Sequence, residues 1–197
     1  MAFGRDRSGT IGSSTTAFDR IVRQARGGDE DAVSVLYLNH VSMVYGYLRA
    51  CGANDLDDLT SEVFVGMLRG LERFDGDQAA FRRWLMTIAH RRLIDHRRAG
   101  VRNRIDMTEP SSLEALRTTA IGIEPPTTLV DDELVAAFER LTNAQREVLA
   151  LRFVADVSLR GVASITGRPT GAVKSLQNRA LAMLRQHLQV GRERQHA

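Results

Sequence analysis

Apolar residues recur at intervals of three and four along most of the chain, and few segments alternate between apolar and polar residues as a strand does. A spacing of three and four places apolar side chains on one face of a helix. The sequence therefore predicts an all-α protein. The first helix is expected to start at a Thr15 or Thr16 cap and to end at Gly27-Gly28. A second helix is expected from about Asp29 to Cys51.

Two further helices complete the first predicted domain. The third has Asn54 or Asp55 as its cap and carries an apolar stripe that includes Leu68 and ends at Phe74. After a short loop, the fourth helix runs over about 80–98. Its apolar face, which begins at Phe81, becomes charged after about two turns. We therefore expect this helix to project beyond its own bundle.

The helical spacing is lost after residue 104, where proline, threonine, serine and acidic residues accumulate around Pro125-Pro126. Such a composition is typical of a linker. The predicted organisation is two small helical domains joined by a flexible linker. Its segments are a disordered start (1–14), a first domain (15–104), the linker (105–130), a second domain (131–190) and a tail (191–197).

The second domain contains the most specific local pattern of the chain. After a first helix over about 131–141, Thr142 and Gln145 have the spacing of a capping box for the next helix, which is expected to bury Val148, Leu149, Leu151 and Val154. A helix-turn-helix motif follows from Leu159. Its small residue, its turn glycine and its apolar positions are supplied by Ala163, Gly167, Val162, Val173 and Leu176. Because Pro169 stands at the usual serine cap, Thr170 is expected to take the cap role.

Charge is distributed in blocks, although the net charge is only +3. Between residues 82 and 104 eight arginines oppose one aspartate, and between 140 and 197 ten basic residues oppose three acids. Between 54 and 79 seven acids oppose two arginines. Two basic blocks beside an acidic one indicate a polyanionic partner and a second, basic partner, with ordinary solvated helix faces as the alternative.

Several classes of function find no support in the sequence. No nucleophile–base pair or phosphate-binding loop is evident, so we predict neither enzyme activity nor a cofactor. Asp58 and Glu62 have a spacing suited to a metal ion, but no further ligand is offered, and no metal site is predicted. The single cysteine, Cys51, fits a reducing cytoplasm. The sequence shows no signal peptide and no membrane-spanning run, so a cytoplasmic location without membrane insertion is expected.

Four stretches of the sequence form a recognisable set. The first two are 55–64 (DLDDLTSEVF) and 81–90 (FRRWLMTIAH), the latter followed by DHRR at 95–98. The other two are 145–152 (QREVLALR) and 171–175 (GAVKS) with Arg179-Ala180. Together they resemble the extracytoplasmic-function (ECF) group of sigma-70 factors, which are promoter-specificity subunits of bacterial RNA polymerase. The resemblance covers about 17–104 and 131–188, in the order and spacing of that family's regions 2 and 4. The chain departs from the family pattern at His90, Arg91, Arg168, Pro169 and Gln177.

The resemblance implies partners and site residues for the first domain. Core RNA polymerase would be bound through its β′ clamp helices and β flap, promoter DNA through both domains, and an anti-sigma factor is a further expected partner. The residues assigned to core-polymerase binding are Asp55, Asp57, Asp58 and Glu62. Carboxylates at this position also favour the start of a helix, which is the structural alternative. The residues assigned to the −10 element, where a base would be flipped into a loop pocket, are Asp77, Gln78, Arg82, Arg83, Arg91, Arg92, Arg97 and Arg98.

The second domain would read the −35 element with the second helix of its helix-turn-helix. The residues assigned to −35 binding are Arg168, Thr170, Gly171, Lys174, Ser175, Asn178 and Arg179. Lys174 suits guanine acceptors and Asn178 suits adenine, whereas Arg168 and Arg179 suit phosphate. In the first domain, Phe81 and Trp84 are interpreted as core residues, with stacking on bases as the alternative.

Two other interpretations are weighed against a sigma factor. A stand-alone LuxR-like helix-turn-helix regulator explains residues 142–188 but leaves 55–64 and 81–98 without a role. A nuclease that uses the acidic cluster needs further carboxylates on neighbouring elements, and the sequence does not offer them.

Overall fold

The computed structural model describes residues 11–106 and 132–195, with side chains over 17–100 and 134–189. Its helices are α1 (Ile11–Arg26), α2 (Glu30–Leu38), α3 (Val41–Ala50), α4 (Leu56–Gly70), α5 (Gln78–Asp106), α6 (Asp132–Glu139), α7 (Asn143–Leu149), α8 (Leu159–Thr166) and α9 (Thr170–Gln195). A 3₁₀ turn (Leu71–Arg73) follows α4, and a π-helical turn (Ala150–Val154) follows α7. These ranges contain no strand, so the predicted all-α class is confirmed. The predicted linker between 107 and 130 lies outside the described residues, as do 1–10 and the last two residues.

The first domain is built around an aromatic cluster. Phe81 of α5 is completely buried. Its ring centroid lies 5.0–5.5 Å from those of four other side chains. These neighbours are Phe18, His40, Phe74 and Trp84. The interpretation of Phe81 as a core residue is confirmed, whereas Trp84 is only partly buried.

The expected second helix is in fact two helices, which is a correction to the sequence prediction. The chain leaves α2 at Asn39 and restarts in α3 after His40, whose φ of −128° is not helical. The His40 imidazole turns inward, where its Nδ1 lies 2.8 Å from the Leu36 carbonyl oxygen and its ring packs edge-on against Phe81. Burial of this side chain fixes the bend between the two helices.

The boundaries of the other first-domain helices also differ from the sequence prediction. Helix α1 begins at Ile11, ahead of the expected threonine cap. Asp55 precedes α4 in a left-handed conformation with φ 53°, and its side chain makes no capping hydrogen bond. Helix α5 begins two residues earlier than expected, because the Asp77 carboxylate accepts a hydrogen bond of 2.7 Å from the Ala80 amide. Gly76, with φ 144°, makes the sharp turn into this cap.

In the second domain the capping box is confirmed, since Thr142 and Gln145 exchange side-chain and backbone hydrogen bonds. The turn of the helix-turn-helix is also as expected, because Gly167 ends α8 in the left-handed conformation with φ 66°. Two details of the sequence prediction for this domain are wrong. Helix α9 begins at Thr170, so the cap position belongs to Pro169, whose carbonyl accepts from Val173. Val154, expected to be buried, is 42% exposed because the π-helical turn rotates it outward.

The two domains pack against each other, which the sequence did not predict. One continuous apolar core extends from the first domain into the second. Its second-domain members are Val148, Ala150, Leu151, Ala155, Val157, Val162, Ile165 and Val173. A smaller core lies within the second domain, between α6, α7 and α9. The main contacts between the domains join α3 to the π-helical turn and α5 to α8.

Candidate polymerase and nucleic-acid interfaces

The acidic residues assigned to polymerase binding lie on one exposed surface at the start of α4. Asp55, Asp57, Asp58 and Glu62 are all exposed. The ion pairs of this surface are long, at 3.8 Å from Glu62 to Arg92 and 4.0 Å from Asp55 to His96. Exposed pairs of this kind contribute little to stability, so the carboxylates remain available to a partner.

Two apolar side chains continue this surface along α4. Val65 is 43% exposed and Leu68 is 45% exposed. Leu68 was expected in the buried stripe, and its exposure corrects that prediction. A helix that exposes both carboxylates and apolar side chains has the mixed character of a protein-binding surface.

The arginines of α5 fall into two groups. Arg83, Arg91 and Arg98 are exposed, and Arg92 is partly exposed. Arg82 and Arg97 instead contact the second domain. Arg82 donates to Asp156 at 3.1 Å, and Arg97 donates to Glu147 at 2.7 Å and to the Cys51 carbonyl at 2.6 Å.

The loop before α5 borders a cleft of about 420 Å³. One wall is the loop itself, from Phe74 to Asp77, and the other is formed by α1. Arg26 of α1 fixes this wall, since its guanidinium donates to the carbonyls of Leu71 and Phe74. Gln78, at the start of α5, is exposed, whereas Asp77 caps that helix with one carboxylate oxygen.

Sequence reasoning missed the part that α1 takes in this cleft. Arg23 and Arg26 line it, and their spacing of three on one helix face was the available signal. Nothing in the local sequence, however, indicates that this face lies opposite a loop about fifty residues away. The cleft combines these guanidinium groups with the carboxylates of Asp19, Asp75 and Asp77 in a partly enclosed space. Donors and acceptors side by side suit the edge of a base.

Helix α9 presents a polar face to solvent. Its exposed residues include Thr170, Gly171, Lys174, Ser175, Asn178 and Arg179. Val173 and Ala180 on the opposite face are completely buried, so the orientation of the helix is fixed by the core. Arg168, assigned to phosphate contact, lies elsewhere, because its guanidinium donates to Glu147 at 3.1 Å.

Buried polar groups connect α3, α5 and the second domain. The Tyr47 hydroxyl lies 2.9 Å from His90 Nδ1, and both side chains are buried. Burial lowers the pKa of His90, an effect opposed by the nearby Glu147 carboxylate and reinforced by Arg168 and Arg97. His90, which departs from the family pattern, therefore contributes to the packing of α5 against α3.

Two family models match the chain, "Sigma-70 region 2" over residues 36–103 and "Sigma-70, region 4" over residues 137–186. The chain is 32% identical over 178 residues to the ECF RNA polymerase sigma factor BldN of Streptomyces coelicolor. That match covers 87% of this chain and 66% of BldN, just under two thirds of that relative's length. The chain belongs to the ECF group of the sigma-70 family.

Other relatives agree with this assignment. This sigma factor is 26% identical over 185 residues to the ECF RNA polymerase sigma factor SigK of Mycobacterium tuberculosis, over 87% of this chain and 94% of SigK. A similar fold is found in the sigma factor RpoE of Bartonella quintana, solved in complex with the anti-sigma factor NepR. The TM-score is 0.61 at 19% identity, and the match covers 80% of this chain and 96% of RpoE. CnrH, solved in complex with the cytosolic domain of CnrY, also has a similar fold. The TM-score is 0.59 at 22% identity, and the match covers 86% of this chain and 96% of that chain.

Family membership decides between the interpretations of the sequence. The region 2 match accounts for residues 36–103, which the LuxR-like alternative leaves unexplained, so that alternative is not favoured. Among residues 11–106 and 132–195 of this sigma factor, no helix has the length and apolar character needed to span a bilayer.

Proposed function

We propose that this sigma factor binds core RNA polymerase in the cytoplasm and directs transcription from promoters whose −10 and −35 elements it recognises. The observation that carries the proposal is the presence of regions 2 and 4 in order on one chain, each with an exposed polar or charged face suited to its role. The first domain would bind the polymerase and the −10 element. The second domain would bind the −35 element.

The surface at the start of α4 supports the assignment of polymerase binding. Its carboxylates are exposed and weakly paired, so few internal cations compete with a basic partner helix for them. Val65 and Leu68 supply apolar area beside the charges. We assign Asp55, Asp57, Asp58 and Glu62 to contact with the β′ clamp helices, and the second domain to the β flap.

The cleft beside the 75–77 loop and the arginines of α5 support −10 recognition. A base that leaves the stack needs an enclosed space with polar groups around it, together with cations for its phosphates. The cleft offers the loop with Asp75 and Asp77 on one side and Asp19, Arg23 and Arg26 on the other, while the exposed arginines of α5 supply the cations. Asp77 acts there mainly as the cap that holds the loop in place.

The exposed face of α9 supports −35 recognition. Lys174 and Asn178 lie one turn apart on that face, within reach of successive base edges, with Thr170 and Ser175 beside them. Arg179, whose guanidinium also bonds the Ser175 carbonyl, lies toward the flank, where a phosphate is nearer. An anti-sigma factor is an expected further partner, since the sigma factor RpoE was solved in complex with the anti-sigma factor NepR.

Run-off transcription from a promoter library, with purified core polymerase, tests the proposal. Lys174→Ala and Asn178→Ala should each cost ~1–3 kcal/mol and relax the preference at particular −35 positions. Arg179→Ala should weaken binding evenly across sequences and lower the salt slope by about one unit. Arg185→Ala is the matched control, because Arg185 is exposed about two turns of α9 beyond Asn178.

The −10 preference should survive all of these substitutions, because it belongs to the first domain. Absence of any polymerase-dependent transcript from the unaltered chain contradicts the proposed function. Unchanged −35 preferences in both the Lys174 and the Asn178 variants contradict the placement of the recognition face.

A further inference from the structure

Two charged side chains of the segment before α8 reach the helix-turn-helix. Glu147 of α7 accepts a hydrogen bond of 3.1 Å from the guanidinium of Arg168, the residue that follows the turn glycine. Arg152 of the π-helical turn donates at 3.3 Å to the side-chain oxygen of Gln177 on α9. Arg152 also donates at 2.6 Å to the Val157 carbonyl, just before α8 begins. The motif is therefore held at the entry to its first helix, at its turn and on its second helix.

Arg168 and Gln177 are two of the positions at which the chain departs from the ECF pattern. Each is a polar side chain, and each finds its partner in the same segment, 143–154. The Glu147 side chain is only 4% exposed and that of Arg168 is 32% exposed, so this ion pair is sheltered from solvent. Hydrogen bonds of charged groups in such surroundings are short and strong. The two departures therefore join the helix-turn-helix to the segment that supports it.

Both contacts act on the helix that is assigned to −35 reading. Helix α9 begins at Thr170, just after Arg168, and Gln177 lies about two turns into it, next to Asn178. The opposite face packs through apolar side chains such as Val173, and apolar attraction has no preferred direction. Directional hydrogen bonds at two separate points restrict the small rotations and shifts that apolar packing alone allows. Side chains that read base edges need this restriction, because a binding constellation must be held to within about 0.5 Å.

We propose that Arg168 and Gln177 are positioning residues for −35 recognition, which act through Glu147 and Arg152 to fix the orientation at which α9 meets the base edges. Arg168 thereby takes a different role from the phosphate contact that its residue type suggested. The inference rests on the proposed function, because the orientation of α9 matters for specificity only if this helix reads promoter DNA. It adds two residues that determine specificity without contacting a base.

A positioning residue and a phosphate contact have different effects on DNA binding. A phosphate contact strengthens binding to every sequence and contributes about one unit to the salt slope. Base contacts distinguish one sequence from another, and they fail when the helix is misplaced. Loss of a positioning residue should therefore weaken binding to the preferred −35 sequence, while binding to other sequences and the salt slope stay the same. A loss of folded protein would instead weaken binding to all sequences alike.

Arg168→Met and Gln177→Leu test the proposal. These variants each remove one contact, whereas Glu147 and Arg152 have further partners in Arg97 and the Val157 carbonyl. Holoenzyme assembled from core polymerase and each full-length variant is titrated onto promoter DNA at several salt concentrations. The DNA carries either the −35 sequence that the promoter library selects or a scrambled one, with the same −10 element. Each variant should bind the selected sequence about three- to tenfold more weakly, with unchanged binding to the scrambled sequence and an unchanged salt slope.

Matched controls make the same chemical changes elsewhere on α9. Arg185→Met and Gln186→Leu alter exposed positions about two turns beyond Asn178, and both should bind like the unaltered chain. Arg168→Lys should recover most of the preference for the selected sequence, because an ammonium group still pairs with the Glu147 carboxylate.

Three results overturn the proposal. The first is unchanged binding of both variants to the selected sequence. The second is an even loss on both sequences with a salt slope lower by about one unit in Arg168→Met, which identifies a phosphate contact. The third is an even loss on both sequences at an unchanged slope, which identifies loss of folded protein. An unaltered holoenzyme without any −35 preference contradicts the proposed function instead.

Discussion

Phe81 is the side chain whose removal should damage the first domain most. Buried Phe→Ala substitutions cost about 3–5 kcal/mol. Phe81 has no exposed surface and contacts four aromatic rings, and each aromatic pair contributes ~0.5–1.5 kcal/mol beyond burial. We therefore expect Phe81→Ala to lower the free energy of unfolding by about 5 kcal/mol, a large part of the ~5–15 kcal/mol that stabilises a typical domain.

Urea titration followed by far-ultraviolet circular dichroism measures this loss. The midpoint should fall with little change in slope, and the melting temperature should fall by roughly 10–20 °C. Leu38→Ala is the control, because Leu38 is apolar but 61% exposed, and its free energy of unfolding should change by only about 0.5 kcal/mol. A loss below about 2 kcal/mol for Phe81→Ala would refute the description of the aromatic cluster as the centre of the core.

Three further predictions concern the polymerase surface, the capping box and the buried histidine. Asp58→Lys combined with Glu62→Lys should weaken binding to core polymerase in a competition assay. The melting temperature of this variant should fall by only a few degrees, because the start of α4 loses favourable charges, and normal competition would exclude this surface. Thr142→Ala should cost ~0.5–2 kcal/mol in urea titration, because the Gln145 amide loses its acceptor. Since burial lowers the pKa of His90, the unfolded chain binds that proton more readily, and the free energy of unfolding should fall as pH drops below 6.5. His90→Gln should reduce this pH dependence, and an identical pH profile would contradict it.

Features that depend on neighbours in sequence were predictable. The capping box needs only Thr142 and Gln145, and the helix-turn-helix needs small, glycine and apolar residues at fixed spacings, which is why Gly167 was placed correctly. The helical class followed from the apolar period for the same reason. The bend at His40 was not predictable, because it depends on burial of the imidazole against Phe81, which is distant in sequence.

The contact between the domains could not be predicted from the sequence for a similar reason. In the sequence, Glu147 is one acid within a basic block, and Arg97 and Arg168 are indistinguishable from arginines that bind phosphate. Only the fold brings these three charges together. Charge counting predicts that a polyanion binds, but it cannot tell which cations are already neutralised within the chain.

Cys51 has a further consequence for how the protein behaves toward oxidants and alkylating reagents. Its thiol is almost fully buried, and burial beside Glu147 raises its pKa to about 12. At neutral pH only about one molecule in 10⁵ then carries the reactive thiolate. Alkylation of the chain's one cysteine therefore requires a motion that exposes this thiol to solvent. Mass spectrometry of the alkylated chain measures how often the packing around Cys51 opens, without any label or substitution.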